Sequence, residues 1–320
     1  MITLIVLTIG LPALFLVIRL LLHAINPHSN EPAGNYHVFN GLVAGVLYQF
    51  GFIAAAAIGC TAASCDIADG MFRQLVVTAR SRLALYLARI PAGLGIILPL
   101  VAVSFGIICC VCVFTAPAKF DFQGVNVPLG LSRAGYENWA ADHPNTVMCD
   151  FPFSGPCNGP GPQPNTPMTK AQAVAGARED YPSYAQTFLS PPGALMVKTG
   201  LWLELEATVG FIIGLGLAAL MGQRLIPVVL ILVSELVLVP ILLLLPIPIN
   251  LQRSLVDLAM AHLEPNGLGY AAGLLLGGPG AIESASSLAP ESRIVAICVI
   301  AAWLLGWTAI GGWRAVRRDA

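Results

Sequence analysis

Long apolar runs separated by short polar segments dominate this chain. A helix rises about 1.5 Å per residue, so crossing a hydrocarbon core of about 30 Å takes roughly 20 apolar residues. Runs of this length cover residues 2–25, 38–62, 85–115, 195–221, 225–247 and 293–313. The first run lacks the basic flank and small-residue cleavage site of a signal peptide, so we expect a retained span. The pattern predicts an all-α polytopic membrane protein with six transmembrane helices.

Composition agrees with this interpretation. Of 320 residues, 57% are hydrophobic and only 10% are charged, whereas soluble domains carry about 25% charged residues. Lipid must therefore solvate much of the surface. The net charge of −1 offers no basic surface for nucleic acid. No G-x-x-x-x-G-K-[ST] loop occurs in the sequence, so we expect that the chain is not an enzyme and that any ATP binds to another polypeptide.

The basic residues predict the orientation of the spans. Arg73, Arg80, Arg82 and Arg89 follow the second run. Arg224 lies between the fourth and fifth runs, and Arg314, Arg317 and Arg318 follow the sixth. The segment 26–37 contains no lysine or arginine. By the positive-inside rule, the 66–89 loop and both termini are cytoplasmic. We therefore expect a multi-pass protein of the plasma membrane.

The runs and their connections predict three regions. These are 1–115 with spans one to three and the loop 63–84, 116–194 as an extracytoplasmic insertion, and 195–320 with spans four to six and a re-entrant segment at 248–292. In the re-entrant segment, LQRSLVDLAMAHLE places Leu251, Leu255, Leu258 and Ala259 on one helical face. Glycine and proline then interrupt a short apolar stretch, which is typical of helices that dip into the membrane and return.

Two features of the insertion are predicted from its residues. Residues 169–180, TKAQAVAGARED, form a short helix with Thr169 as its N-cap. Cys149 and Cys157 flank the turn CDFPFSGPC in an oxidising compartment, where a disulfide would restrict a loop with little core. The alternative is a pair of free thiols.

The loop after the second run has an amphipathic pattern. Phe72, Leu75, Val76 and Ala79 form one apolar stripe. The acidic and basic residues at opposite ends of 66–82 complement the helix dipole. The pattern predicts an amphipathic helix at the cytoplasmic face. Its alternative role is to anchor the third span through lipid head groups.

The same stretch resembles a known family. Residues 66–89, D-x-x-D-G-M-F-R-Q-L-V-V-T-A-R-S-R-L-A-L-Y-L-A-R, are similar to the loop between the second and third spans of type-2 ABC transporter permeases. In that family an acidic–Gly–[TM]–[FL]–R segment leads into R-S-R-L and the third span. Residues 214–243 look like spans four to five, and 251–265 resemble the segment that follows.

This resemblance implies the permease subunit of an ABC exporter, which moves an amphipathic or lipid-like substrate or drug outward. It implies a dimer with a second copy or a paralogue, and cytoplasmic ATPase subunits that hold ATP and Mg. The loop would act as a coupling helix on the ATPase, with Phe72 as its apolar anchor. The coupling residues carried over are Asp66, Asp69, Gly70, Phe72, Arg73, Arg80 and Arg82. The family's amphipathic segment before span one is absent here, and the insertion is long for the family.

Acidic residues within the apolar runs are the other candidate sites, because such groups usually face a cavity or a partner. Glu235 lies inside the fifth run, and Glu204 and Glu206 lie near the outer end of the fourth. We expect them in the translocation path or the dimer interface; for Glu235 the alternative is a structural inter-helix hydrogen bond. The cysteines of the third run have no histidine or acid near in sequence, so we predict no metal site.

A second function remains open. The chain could be a non-transporting membrane sensor or assembly protein that uses residues 116–194 as a binding head. A membrane enzyme is a weaker third option, since the spacing shows no catalytic triad.

Overall fold

The computed structural model describes residues 9–25, 39, 43–68, 81–115, 119–122, 125–128, 130–144, 169–188, 191–244, 248–265 and 292–317. The chain divides into two units. The first, here the bundle unit, comprises Met1–Phe15, Asn40–Ile108 and Gly193–Ala320. The second, here the insertion unit, comprises Leu16–Phe39 and Cys109–Pro192.

The described elements, in chain order, are α1 (Leu11–Ile25), a π-helical segment (Val43–Tyr48), α2 (Gln49–Ala68), α3 (Arg82–Phe114), β1 (Lys119–Phe122), β2 (Val125–Pro128), α4 (Arg133–Asp142), α5 (Lys170–Phe188), α6 (Gly193–Met221), α7 (Leu225–Val233), a second π-helical segment (Ser234–Leu238), α8 (Val239–Leu244), α9 (Ile249–Arg253), α10 (Val256–His262) and α11 (Arg293–Arg317).

Four helices in the described residues are long and apolar enough to cross a membrane: Val46–Ser64, Arg82–Phe114, Gly193–Met221 and Arg293–Arg317. The predicted first and fifth spans correspond to shorter apolar helices, Ala13–Leu22 and Leu225–Leu238. The mostly helical, membrane-type architecture is thus confirmed, with four candidate spans among the described residues where the sequence predicts six. In the fifth run, the π-helical segment interrupts the regular α-helix and prolines follow it.

Helix α6 lies at the centre of the bundle unit. Apolar residues lie on all faces of this helix, which is typical of a helix that is surrounded by other elements. Its glycines bring the neighbouring backbones close. A Cβ at Gly214 would meet the backbone of Ala56 on α2, and a Cβ at Gly210 would lie 2.7 Å from the carbonyl oxygen of Phe52. Small residues at such a contact allow close helix packing in lipid, where main-chain approach replaces a hydrophobic driving force.

The other spanning helices of the bundle unit also meet at glycines. A Cβ at Gly216 of α6 would lie 2.7 Å from the carbonyl oxygen of Trp307 on α11. A Cβ at Gly93 of α3 would collide with the Phe211 ring, and one at Gly311 of α11 would collide with the Tyr86 hydroxyl. These contacts place α2, α3 and α11 around α6.

Helix α3 begins where the sequence changes from basic to apolar. The Ala84 amide donates to the Ser81 hydroxyl at 3.2 Å, so Ser81 caps the helix that starts at Arg82. The helix continues for 33 residues through Pro91 and Pro99, which a membrane helix tolerates because its neighbours satisfy the freed backbone groups. The Arg89 guanidinium donates to the Ala63 carbonyl at 3.1 Å and ties α3 to α2.

The amphipathic helix predicted from Leu251 is broken in two. The Ser254 hydroxyl donates back to the Leu251 carbonyl at 2.7 Å, and Leu255 is extended, which separates α9 from α10. The predicted apolar face is therefore only partly correct. Leu258 and Ala259 are buried, but Leu251 is 51% exposed.

The insertion unit contains the only strands among the described residues, which the all-α prediction missed. They form an antiparallel hairpin in which Lys119 pairs with Pro128 and Phe122 with Val125. The predicted N-cap at Thr169 is confirmed. The Gln172 amide donates to the Thr169 hydroxyl and the Thr169 amide donates to the Gln172 side chain, as in a capping box. The helix runs to Phe188, beyond its predicted end.

Helices α4 and α5 pack through aromatic rings. Tyr136 stacks on Tyr184 with centroids 4.2 Å apart, and Tyr181 lies 6.1 Å from Tyr136. The Tyr184 hydroxyl donates to the Pro128 carbonyl at 2.8 Å, and burial raises the pKa of this phenol. The cluster supplies a small aromatic core where α4 and α5 meet.

Candidate functional site

One face of α6 carries polar side chains into the interior of the bundle unit. Thr199, Trp202 and Glu206 follow one another at helical spacing, so they share a face. The exposed fractions of Trp202 and Glu206 are 4% and 2%. A carboxyl group this deeply buried in an apolar bundle is expensive, and it needs a partner or a function.

Trp202 joins two other segments to this face. Its ring stacks on Tyr48, the last residue of the first π-helical segment, with centroids 4.8 Å apart and planes 8° from parallel. Its indole N–H donates to the Met260 carbonyl of α10 at 2.9 Å. The Trp202 indole therefore contacts both α10 and the residue that precedes α2, one turn from Glu206 on α6.

Two further carboxyl groups approach Glu206 from other elements. Asp257 lies in the first turn of α10 and is 4% exposed. Glu235 lies half-buried in the second π-helical segment. Both act electrostatically on Glu206, and Asp257 acts on Glu235 as well. We refer to Glu206, Asp257 and Glu235 as the acidic cluster.

Three polar atoms on the buried face lack a hydrogen-bond partner among the described residues. They are Oε2 of Glu206, the hydroxyl of Tyr48 and the hydroxyl of Thr199. Most buried polar atoms in native proteins are paired, so unpaired ones indicate a group held for another purpose. Neighbouring atoms of this kind, beside three acids, single out this face from the rest of the described surface.

The three acids of the cluster would repel one another if all were ionised. Asp257 lies outside the candidate spans, and burial raises its pKa to about 6. Three buried acids that interact electrostatically cannot all ionise without a compensating positive charge, because like charges in a low dielectric repel strongly. The other ionisable side chains on α9, α10 and the turn that follows are Arg253, His262 and Glu264. Among these, Arg253 and His262 can carry a positive charge and Glu264 a negative one.

The structure brings two of the three predicted acids together and separates the third. Glu206 and Glu235 both belong to the acidic cluster. Glu204 is only half-buried on another face of α6, two residues from Glu206. Its carbonyl accepts a hydrogen bond from the Thr208 hydroxyl at 2.8 Å. Glu204 is not part of the cluster.

Sequence reasoning missed Asp257, Tyr48, Trp202 and Thr199. For Asp257 a signal existed: it stands within V-D-L-A-M, an acid between apolar residues in a segment predicted to dip into the membrane. All five residues of this stretch are buried. No comparable signal marks Tyr48, because its proximity to Glu206 arises from tertiary packing; Thr199 lies on the same face of α6 as Glu206 through helical spacing.

Most of the predicted coupling residues lie outside the described residues: Asp69, Gly70, Phe72, Arg73 and Arg80. Asp66 lies in the last turn of α2, and Arg82 is the first residue of α3. The predicted disulfide partners Cys149 and Cys157 also lie outside the described residues.

Within the described part of the chain, no group of three or more histidine, cysteine, aspartate or glutamate side chains is arranged to hold a metal ion. Comparison with family models, with curated proteins and with solved structures finds no match to this chain.

Proposed function

We propose that this chain is the permease subunit of an ABC exporter in the plasma membrane, driven by a separate ATP-binding subunit. The observation that carries the proposal is the sequence 66–89, which joins two helices long enough to span a membrane and resembles the coupling loop of type-2 ABC permeases. The proposed orientation places this loop and both termini in the cytoplasm, as the basic residues predict.

The helix boundaries support this role for the loop. Helix α2 ends at Ala68 and α3 begins at Arg82, so a force on the intervening segment reaches both spanning helices directly. Arg89 of α3 bonds to the Ala63 carbonyl of α2, and α2 in turn contacts α6 through Ala56 and Gly214. A packed route therefore runs from the loop to α6, which carries Glu206.

The proposed mechanism is mechanical. When the ATPase subunits close on ATP, they would push the segment 66–82 and move α2 and α3 against α6. That movement would rearrange the Tyr48–Trp202 contact and open the acidic cluster for release of the substrate. The chain would act as a dimer with a second permease.

Co-purification tests the proposal. The tagged protein is extracted from native membranes in a mild detergent, and its partners are identified by mass spectrometry. We expect a P-loop ATPase in the eluate. Phe72→Ala with Arg73→Ala should lower the recovered ATPase about tenfold, as expected for losing about 1.4 kcal/mol of interface contacts.

Gln74→Ala is the matched control, because it lies in the same loop off the predicted apolar stripe. It should leave the recovery unchanged. An eluate without any ATPase would contradict the proposal and favour the sensor or assembly function. That second candidate is supported by the stacked aromatic core of α4 and α5, which can present a binding surface.

A further inference from the structure

We propose that the acidic cluster, together with the Tyr48–Trp202 pair, binds the ammonium group of a hydrophobic organic cation. The inference rests on the proposed function, for which it names the substrate class as amphipathic amines. The site would hold the charged head of the amine and leave its apolar body among the surrounding helices.

Charge is the first argument. The acids of the cluster come from three separate elements, α6, the second π-helical segment and α10. The described groups that act electrostatically on Glu206 are Asp257 and Glu235, both acids. Buried carboxylates need a nearby positive charge to stay ionised. An ammonium ion placed among them supplies that charge.

The unpaired polar atoms are the second argument. Oε2 of Glu206 and the hydroxyl of Tyr48 have no hydrogen-bond partner among the described residues, and Glu206 and Tyr48 interact electrostatically. Both oxygens accept hydrogen bonds, whereas a primary ammonium is a donor with three N–H groups and no acceptor. The Thr199 hydroxyl is a further acceptor on the same face of α6.

The aromatic pair is the third argument. The stacked rings of Tyr48 and Trp202 lie beside the acids, and the negative faces of such rings attract cations. Leu203 on α6, and Leu258 and Met260 on α10, are buried apolar side chains of the helices that carry Glu206 and Asp257. A metal ion fits less well, since the described residues provide no metal-type ligand group. A proton would neutralise one carboxyl group but would not interact with the Tyr48 and Trp202 rings.

Access to the cluster requires a movement, and the local structure provides one. Glu235 lies in a π-helical segment, and such segments often mark functional sites in membrane and soluble helices. Helix α10 is only seven residues long and follows a break at Ser254. Displacing α10 or changing the π-helical turn would open the cluster to a ligand from the membrane.

Ligand binding to the full-length protein in lipid nanodiscs tests the inference. The probe is dansylcadaverine, a fluorescent primary amine, and the control ligand is its N-acetyl derivative, which carries no charge. We expect the amine to bind at least about tenfold more tightly than the acetylated form. Glu206→Gln should weaken amine binding about tenfold, and Glu204→Gln should change it by less than about twofold.

Asp257→Asn provides a second variant if Glu206→Gln does not fold, and the two ligands on the wild-type protein give a result without any variant. Equal affinity for both ligands would overturn the inference. So would unchanged amine binding in Glu206→Gln, or proton uptake by the cluster with no amine binding.

This assay contains no ATPase, so it fails or succeeds independently of the co-purification. Amine binding without an ATPase partner would retain the site and reject the exporter. An ATPase partner without amine binding would retain the exporter and reject the substrate class.

Discussion

Two carboxyl groups in the two units show opposite environments. Glu137 of α4, in the insertion unit, accepts hydrogen bonds from Nε and Nη2 of Arg178 at 3.1 Å each. Arg133 adds a contact at 3.3 Å. These hydrogen bonds and charges, chiefly those of Arg178, lower the pKa of Glu137. Glu206 of the bundle unit is buried, acts against two other acids and has one oxygen without a described partner.

Glu137 thus has a structural role, whereas Glu206 is an acid for which we propose a function. The protein itself satisfies Glu137, so its role is complete within the fold. Glu206 is buried and its Oε2 has no hydrogen-bond partner among the described residues, and unsatisfied groups of this kind cluster at binding and active sites. The two units also differ in how their helices pack. Helices α4 and α5 meet through stacked rings, whereas α2 and α6 meet through their backbones at Gly214.

The largest expected effect comes from breaking the glycine contact that supports the acidic cluster. In Gly214→Leu, the new side chain would collide with the backbone of Ala56 and force α2 away from α6. We expect a loss of about 3 kcal/mol or more in the free energy of unfolding. Thermal unfolding of the purified protein in detergent measures the change.

Gly306→Leu on α11 is the matched control, because a Cβ at Gly306 meets no atom within 4 Å. It should unfold within about 1 kcal/mol of the wild-type protein, or slightly later, since glycine is a poor helix former. Equal losses in both variants would mean that α2 and α6 do not depend on the close backbone contact.

Substitution of Glu206 should have a smaller effect on the free energy of unfolding and should not lower it. Glu206→Gln keeps the shape of the side chain and removes one acid from a buried cluster of three. We expect the variant to be at least as stable as the wild-type protein, because a neutral amide removes the cost of burying an acid that can ionise. Glu204→Gln, at a half-buried position outside the cluster, should leave the unfolding temperature unchanged. Destabilisation by Glu206→Gln would assign this acid a structural role.

The smallest effect is expected at Glu137. Its pKa lies below the ordinary value of 4.5, so its contribution is present above that pH and is lost as the pH falls through the lowered value. Hydrogen exchange of α5 should therefore accelerate in acid, and only modestly, because Arg178 is exposed and solvent screens the pair. Glu137→Gln should remove the pH dependence, while Glu179→Gln on α5, next to Arg178, should retain it.

The sequence predicts much of the scaffold because long apolar runs carry a strong signal. The runs at 38–62, 85–115, 195–221 and 293–313 all contain spanning helices. The N-cap at Thr169 follows from local hydrogen bonding, which depends on neighbours three residues away. Glu206 and Glu235 were identified because acids are rare in such runs.

The rest depends on contacts between residues far apart in the chain. Tyr48 and Trp202 stack although 154 positions separate them, and helical periodicity carries no information about such a pairing. The apolar face predicted for residues 251–259 is only partly correct, because the Ser254 hydroxyl donates to the Leu251 carbonyl and the helix is broken there. The hairpin at 119–128 was missed because each of its strands has only four residues, too few for a clear alternating pattern.

The most direct test of the central claim is whether a charged amine stabilises the protein through Glu206. Unfolding temperatures are measured for the wild-type protein and Glu206→Gln, each with dansylcadaverine or its N-acetyl derivative at equal concentration. A ligand that binds only the folded state at about 100 times its dissociation constant adds about 2.7 kcal/mol. We predict a rise of this size in the wild-type protein with the amine, and only about half of it, about 1.4 kcal/mol or less, in Glu206→Gln or with the acetylated ligand. The same rise in both proteins, or with both ligands, would contradict the claim.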